Sequence, residues 1–159
     1  MLRGKKIILR PLQQSDLQLL FDIENNKENW RFGSEEKKYD KEELIQYIRD
    51  SRIDIRIAKQ YRFVIDLNSD PIGFIDLFNY TVDSAGVGVI ILKDYRRQGL
   101  AREALELLCF YATSDLDLKK LYCNIKKDNF ISIKLFTNCG FTLISEKDNL
   151  KYFVRLAEN

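Results

Sequence analysis

The sequence contains no histidine. That absence excludes Ser–His and Cys–His nucleophilic catalysis, and every metal site that needs imidazole. Any proton transfer must then run through carboxylates, tyrosine, lysine, cysteine or water. Proline is scarce, with two in 159 residues, which argues against long disordered linkers. No apolar run approaches the roughly 18 to 20 residues that a membrane span needs. The stretch "MLRGKKIILRPL" carries two lysines but lacks an apolar signal-peptide core. Cysteine is limited to Cys109, Cys123 and Cys139, an odd number at wide spacings, giving neither a disulfide framework nor a Cys-x-x-Cys metal pair. A reduced cytoplasm is the expected location, with no metal and no membrane partner. A strong charge of one sign is also missing. Lys and Arg number 26 against 24 Asp and Glu, so the chain has no nucleic-acid signature.

What is present is the 45% hydrophobic composition of a globular protein, long enough to bury a sizeable core. One domain over residues 1–159 is expected. Residues 22–43 hold eight acids against five bases, a local net of −3. A solvated helical region accounts for that, and the same charge would also suit a cationic substrate.

Periodicity then orders the chain. "KKIILRPL" (5–12) reads as a strand closed by Pro11. Ser15 with Gln18 gives a capping-box signal for a helix in which Leu17, Leu20 and Phe21 face inward and Glu24 outward. Asp40 with Glu43 repeats the signal, and Leu44, Ile45 and Ile48 form that helix's buried stripe. "NNKENWRFGSEEKKY" between them reads as a loop or short helix. "YRFVIDL" (61–67) and "IGFIDLF" (72–78) are strands about an "NSDP" turn, and "GVGVIIL" (86–92) is apolar on both faces and therefore central. Helices over 99–113 and 130–138 enclose a strand at 120–126, and "GFTLIS" and "NLKYFVRL" close the chain through "EKDN". The order β-α-α-β-β-β-α-β-α-β-β implies an α/β (α+β) fold, a mixed sheet with helices on both faces.

Two stretches carry candidate chemistry, and one is a decoy. "DLNSDPIGFIDL" begins like a calcium loop, but Pro71 and Leu77 stand where glycine and a bidentate glutamate are required, so a hairpin turn is the better reading. "KDYRRQGLAREALELL" (93–108) crowds Arg96, Arg97 and Arg102 around Gly99 at the mouth of a helix. The unpaired first amides and the positive end of the helix dipole make an anion site there. An ordinary basic turn is the alternative. It is neither a Walker loop nor a dinucleotide fingerprint, because the second glycine and the Lys-Ser/Thr pair are absent.

"RRQGLA" (96–101) resembles the Arg/Gln-x-x-Gly-x-Gly/Ala pyrophosphate loop of the GNAT family of acyl-CoA N-acyltransferases. It sits where that family places it, between the central strand and the long helix. "DNFISIKLFTNCGF" (128–141) resembles the family's Asn-x-x-Ser/Ala-x-x-Leu-Tyr-x-x-x-Gly-Phe segment. With "IILRPLQQSDLQLLFDIENN" at the front, the likeness spans about residues 5–155 and is nearest to the bacterial polyamine and ribosomal-protein acetyltransferase branch.

The resemblance implies the acyl-CoA N-acyltransferase fold, with a mostly antiparallel sheet of about six to seven strands. It implies acetyl-CoA as co-substrate and direct transfer to a primary amine in a ternary complex, on a polyamine-like small molecule or a protein N-terminus. It leaves a homodimer open. By position, the amides of Arg97, Gln98, Gly99, Leu100, Ala101 and Arg102, with Arg96 beside them, would hold the CoA pyrophosphate. Val89 and Ile91 would lie on the edge that pairs with pantetheine. Asn129 matches the family asparagine, with a helix cap as its alternative role. Lys134 lies where a basic residue reaches the cofactor, with a plain solvated lysine as the alternative.

The chemistry needs the amine deprotonated, and a free lysine amine has a pKa near ~10.4. The family's usual tyrosine acid is Phe136 here, and Gly86 falls near its frequent strand glutamate. Asp76 is therefore the expected base, with a structural role bonding loop amides as the alternative. Tyr80, Tyr122 and Cys139 are weaker stand-ins for the acid. Transfer without a protein acid is also open, since a CoA thiolate leaves readily. The two departures motivate a rival expectation, a catalytically impaired acyl-CoA-binding module.

Overall fold

The eight strands form one sheet in the order β1-β2-β3-β4-β5-β6-β8-β7. In chain order these are β1 (Leu2–Arg3), β2 (Ile8–Pro11), β3 (Tyr61–Leu67), β4 (Asp70–Phe78), β5 (Ser84–Ile91), β6 (Lys120–Lys126), β7 (Thr142–Lys147) and β8 (Leu150–Leu156). The helices are α1 (Leu17–Asn25), α2 (Lys41–Asp50), α3 (Ile55–Ala58), α4 (Leu100–Ser114) and α5 (Phe130–Asn138). The computed structural model describes residues 1–26 and 38–158. The reading of 25–39 as a loop or short helix, with Trp30, falls mostly outside the described residues.

Every pair in the sheet is antiparallel except β5 with β6. Those two run parallel and are joined over only three residues, Ser84–Gly86 against Lys120–Tyr122. Beyond Gly86 the strands part, and the edge of β5 that faces β6 is left unpaired. This split positions the site.

Helices cover both faces, as the uninterrupted apolar strands require. On one face α4 and α5 pack Leu105, Leu108 and Phe136 against Ile65, Ile75, Leu77 and Phe153. On the other, α1 and α2 bring Leu20, Ile23, Leu44 and Ile48 onto Val64 and Phe74. Each such side chain stabilises the fold by roughly 1.5–3 kcal/mol when fully removed from water. The helix pair is also tied by backbone polarity. The Asn25 side-chain amide donates to the Tyr39 carbonyl (2.9 Å) and its oxygen accepts the Tyr39 N–H (2.7 Å).

Several expectations are corrected. The sheet has eight strands rather than six to seven, because the two-residue β1 folds back on β2. So short a strand has no period to detect. The four-residue α3, capped by Asp54 accepting the Arg56 N–H, was likewise not anticipated. The "NSDP" turn is tighter than expected. Asn68 and Ser69 alone make it, both at positive φ (51° and 73°), the backbone of a two-residue primed hairpin turn, while Asp70 and Pro71 belong to β4.

The entry to α1 is not capped by Ser15. A 3₁₀ turn over Gln14–Asp16 leads into it, and the buried Asp16 carboxylate accepts the Gln13 N–H (2.8 Å) and two bonds from Arg10 (2.9 Å each). Asp40 and Glu43 do form their capping box, with Glu43 N–H donating to Asp40 at 2.8 Å. Glu24 does not face outward. It is buried on the sheet side of α1, beside Ile23.

Candidate active site

The loop between β5 and α4 is shaped by its backbone. A 3₁₀ turn over Lys93–Tyr95 follows β5, and the Arg96 guanidinium folds back to donate to the Ile91 carbonyl at 2.8 Å. Arg97 and Gly99 both lie at positive φ, 64° and 78°. For arginine that conformation costs on the order of 1 kcal/mol, and such strain clusters at ligand clamps. Gly99 is the N-cap residue of α4, and no side chain caps the helix there. A Cβ built on Gly99 would meet nothing within 4 Å, so glycine is needed here for its backbone angle while the space above it stays open. Uncapped amides, a helix N-terminus and open space together suit a large anion.

The loop's side chains divide. Arg97, Gln98 and Arg102 are exposed, Leu100 is buried in the core and Ala101 packs against it. Arg102 is engaged with Glu106 at 3.0 Å, an i,i+4 pair on the same helix. Leu100 and Ala101 thus have only backbone groups to offer a ligand, while Arg97 alone among the loop arginines has neither contact described for its neighbours.

The split between β5 and β6 holds a cleft of about 90 Å³, lined among others by Val87, Gly88, Val89, Asn124, Asn129 and Phe136. Val89 lies on its wall, whereas the carbonyl of Ile91 is taken by Arg96. Asn129 has the alternative role expected of it, and it also stands at the cleft. It caps α5, accepting the Ser132 N–H at 3.2 Å, and it lines the cleft. Lys134 is exposed on α5 and does not line the cleft. Phe136 reaches the cleft from α5 with its ring packed edge-on to Phe141, centroids 5.0 Å apart. Tyr80, Tyr122 and Cys139 do not line the cleft. Cys139 instead shares a separate hollow with Cys109 and Phe110.

Asp76 lies one strand from this split. Its register partners are Arg62 on β3 and Gly88 on β5. A Cβ on Gly88 would stand only 2.9 Å from Asp76 Oδ1, so the missing side chain is what lets the carboxylate lie over the cleft wall. Among the described residues no loop amide, and no other donor, bonds to Asp76. Burial pushes its pKa up, Arg62 opposes this and Glu24 adds to it. A side chain at the neighbouring Gly86 would require the Phe78 ring to move. That ring lies directly over Gly86, packed in turn against Tyr122 at 6.3 Å between centroids.

Sequence reasoning missed the group behind Asp76. Arg62 bonds Glu24 at 2.6 Å, and its guanidinium carbon lies 5.5 Å from the Tyr47 ring centroid and 5.6 Å from that of Phe74. Two signals were available. Glu24 falls in the i, i+3, i+4 stripe with Leu17, Leu20 and Phe21, and Arg62 is, with Asp66, one of two charges in an otherwise apolar strand.

Comparison with known proteins bears on the family and the fold. Residues 6–142 match the family model described as an acetyltransferase (GNAT) domain. Spermidine N(1)-acetyltransferase of Escherichia coli K12 is 29% identical over 140 residues, covering 87% of this chain and 74% of that protein. The acetyltransferase PseH of Campylobacter jejuni is 27% identical over 141 residues, covering 89% and 86%. In three dimensions the Vibrio cholerae spermidine N-acetyltransferase, solved with CoA and spermine, superimposes with a TM-score of 0.86 at 23% identity over 96% of each chain.

Proposed function

The chain belongs to the GNAT acetyltransferase family and transfers an acetyl group from acetyl-CoA to an amine, and we propose that its acceptor is a polyamine-type primary amine and that the split between β5 and β6 is where the transfer takes place. The observation that carries the site is the coincidence, around β5, of an uncapped helix mouth at its end, a parted parallel pair along one edge and a partly buried carboxylate on the adjacent β4.

In this reading the amides from Arg97 to Arg102 hold the pyrophosphate, and Gly99 keeps the approach clear. The unpaired edge of β5 beyond Gly86, which includes Val89, receives the pantetheine arm. Ile91 contributes through packing, since its carbonyl is committed to Arg96. Asn129 fixes the start of α5 at the cleft, and Phe136 closes the wall with an apolar ring. Asp76 accepts the proton of the incoming amine, directly or through water. The thioester supplies the activated acetyl group, and the thiolate of CoA leaves without a protein acid.

Support for the polyamine class comes from the named activity of the E. coli and V. cholerae relatives and from the acidic excess of residues 22–43. A self-associated form, a homodimer at the simplest, is in keeping with the V. cholerae enzyme solved as a dodecamer. The exposed length of β7 offers one surface for it.

The test is release of free CoA from acetyl-CoA in the presence of spermidine, spermine, simple diamines and peptides with free N-termini. Turnover that is fastest on the polyamines is expected. Faster turnover on peptide N-termini would overturn the acceptor class. Saturable CoA binding with no turnover on any amine would instead mark an impaired binding module.

A further inference from the structure

We propose that Arg62 is the positioning residue of the acceptor side. Clamped by Glu24 and two aromatic rings, it holds the Asp76 carboxylate charged and lying over Gly88. The inference rests on the reading of Asp76 as the base, and it extends that reading to residues from three further elements.

The arrangement is stepwise. α1 supplies Glu24, which bonds an Arg62 terminal nitrogen at 2.6 Å. α2 supplies Tyr47 and β4 supplies Phe74, whose rings lie 5.5 and 5.6 Å from the guanidinium carbon and fix its plane. Arg62 then stands opposite Asp76 in the β3–β4 ladder. Its Nε is buried and has no hydrogen-bond partner among the described residues, so Glu24 does not exhaust what the guanidinium can offer. β5 presents only Gly88 to Asp76, with no side chain. Among the described residues, the charged and titratable groups acting on Asp76 are therefore Arg62, Glu24 and Tyr47.

The chemical consequence follows from which partner receives a bond and which only a field. A carboxylate locked by bidentate bonds to arginine is a poor base, because its lone pairs are occupied. Here the bond goes to Glu24, while Asp76 receives the attraction of the cation and keeps its oxygens free for an amine or a water. Burial and the Glu24 charge both favour the protonated form of Asp76, and among the described residues Arg62 alone acts the other way. A base must be deprotonated to act, so activity is lost as pH falls through the folded-state pKa of Asp76. Without Arg62 that loss begins at higher pH. Without the Glu24 charge it begins at lower pH.

The test is the acid limb of kcat at saturating acetyl-CoA and spermidine, for Arg62→Gln, Arg62→Lys, Glu24→Gln and Asp76→Asn, with CoA affinity measured for each. Arg62→Gln is expected to move the limb up by about one pH unit, which is tenfold in rate on its slope. Glu24→Gln should move it down, and Arg62→Lys should return it close to the parent position because the charge is kept. CoA affinity should stay within about twofold throughout, which also reports a folded cofactor side. Asp76→Asn should lower kcat by about a hundredfold or more. Retained activity in Asp76→Asn would refute the base itself. An inactive Asp76→Asn together with an unmoved limb in Glu24→Gln and Arg62→Lys shifted as far as Arg62→Gln would overturn the role of Arg62 alone. If Arg62→Gln does not fold, the opposed behaviour of Glu24→Gln and Arg62→Lys decides: a limb that Glu24→Gln fails to lower overturns the proposal.

Discussion

The phosphate loop at 96–102 and the carboxylate bank around Asp76 stand on neighbouring strands, yet they are built differently. The loop is made of consecutive residues, and what it offers is backbone: amides at the mouth of α4, two positive φ angles, and a glycine with open space above it. The bank is made of side chains from four elements, Glu24, Tyr47, Arg62 and Asp76, spread over more than fifty positions. A backbone site needs a particular residue mainly where the chain must turn, so its identity concentrates in a short motif. A side-chain site needs registers and helix phases to agree, and any one of its members looks ordinary by itself.

That contrast can be broken most sharply at Gly99. Gly99→Glu forces a non-glycine residue to φ near 78° and puts a carboxylate beside the proposed pyrophosphate position. CoA affinity should fall by about a hundredfold or more, while the strain of roughly 1–2 kcal/mol moves the melting temperature by only several degrees. Calorimetric titration with CoA checks it, and unchanged affinity would remove the loop from the site.

A smaller effect separates the two banks at Gly88. In Gly88→Ala the new Cβ would lie 2.9 Å from Asp76 Oδ1, so the carboxylate must give way. We expect kcat to drop roughly tenfold, since misplacing a reacting group by about 1 Å can cost up to a hundredfold. CoA affinity should hold within about twofold. Loss of CoA affinity with intact kcat would mean that the two banks are not separable.

The smallest change is expected at Phe136, where the family tyrosine is missing. Phe136→Tyr should alter kcat by less than about threefold if the thiolate leaves unaided. A gain of tenfold or more, within the range of general acid catalysis, would show that an acid is lacking in this chain. The steady-state rate with spermidine reads this directly.

Legibility in the sequence followed the same division. The limits expected for β3, β6 and α5 coincide with those observed, and α4 differs by one residue at each end. Each is a run with a clear period bounded by turn residues. The Asn129 cap and the Gly99 turn were visible because caps and positive-φ turns restrict residue type locally. Glu24 was read as outward because charge usually marks the solvent face. It lies inward because a strand on the far side of the connection brings Arg62 to it at 2.6 Å. The expected Ser15 cap gave way to the 3₁₀ turn held by Asp16 for a similar reason, since Arg10 and the Gln13 N–H converge on that carboxylate.

The sequence by itself therefore determined the longer elements and their order, the helix mouth that suits a phosphate and the exclusion of histidine chemistry. All of these are properties of contiguous residues. Only the tertiary structure decided that β5 and β6 part after three paired residues, that Phe78 fills the space over Gly86, and that Asp76 faces Gly88 with Arg62 and Glu24 behind it. The physical reason is that the ionisation of a partly buried carboxylate depends on charges a few ångströms away in space. Those charges lie 14 and 52 positions away along the chain, a distance that no local pattern spans.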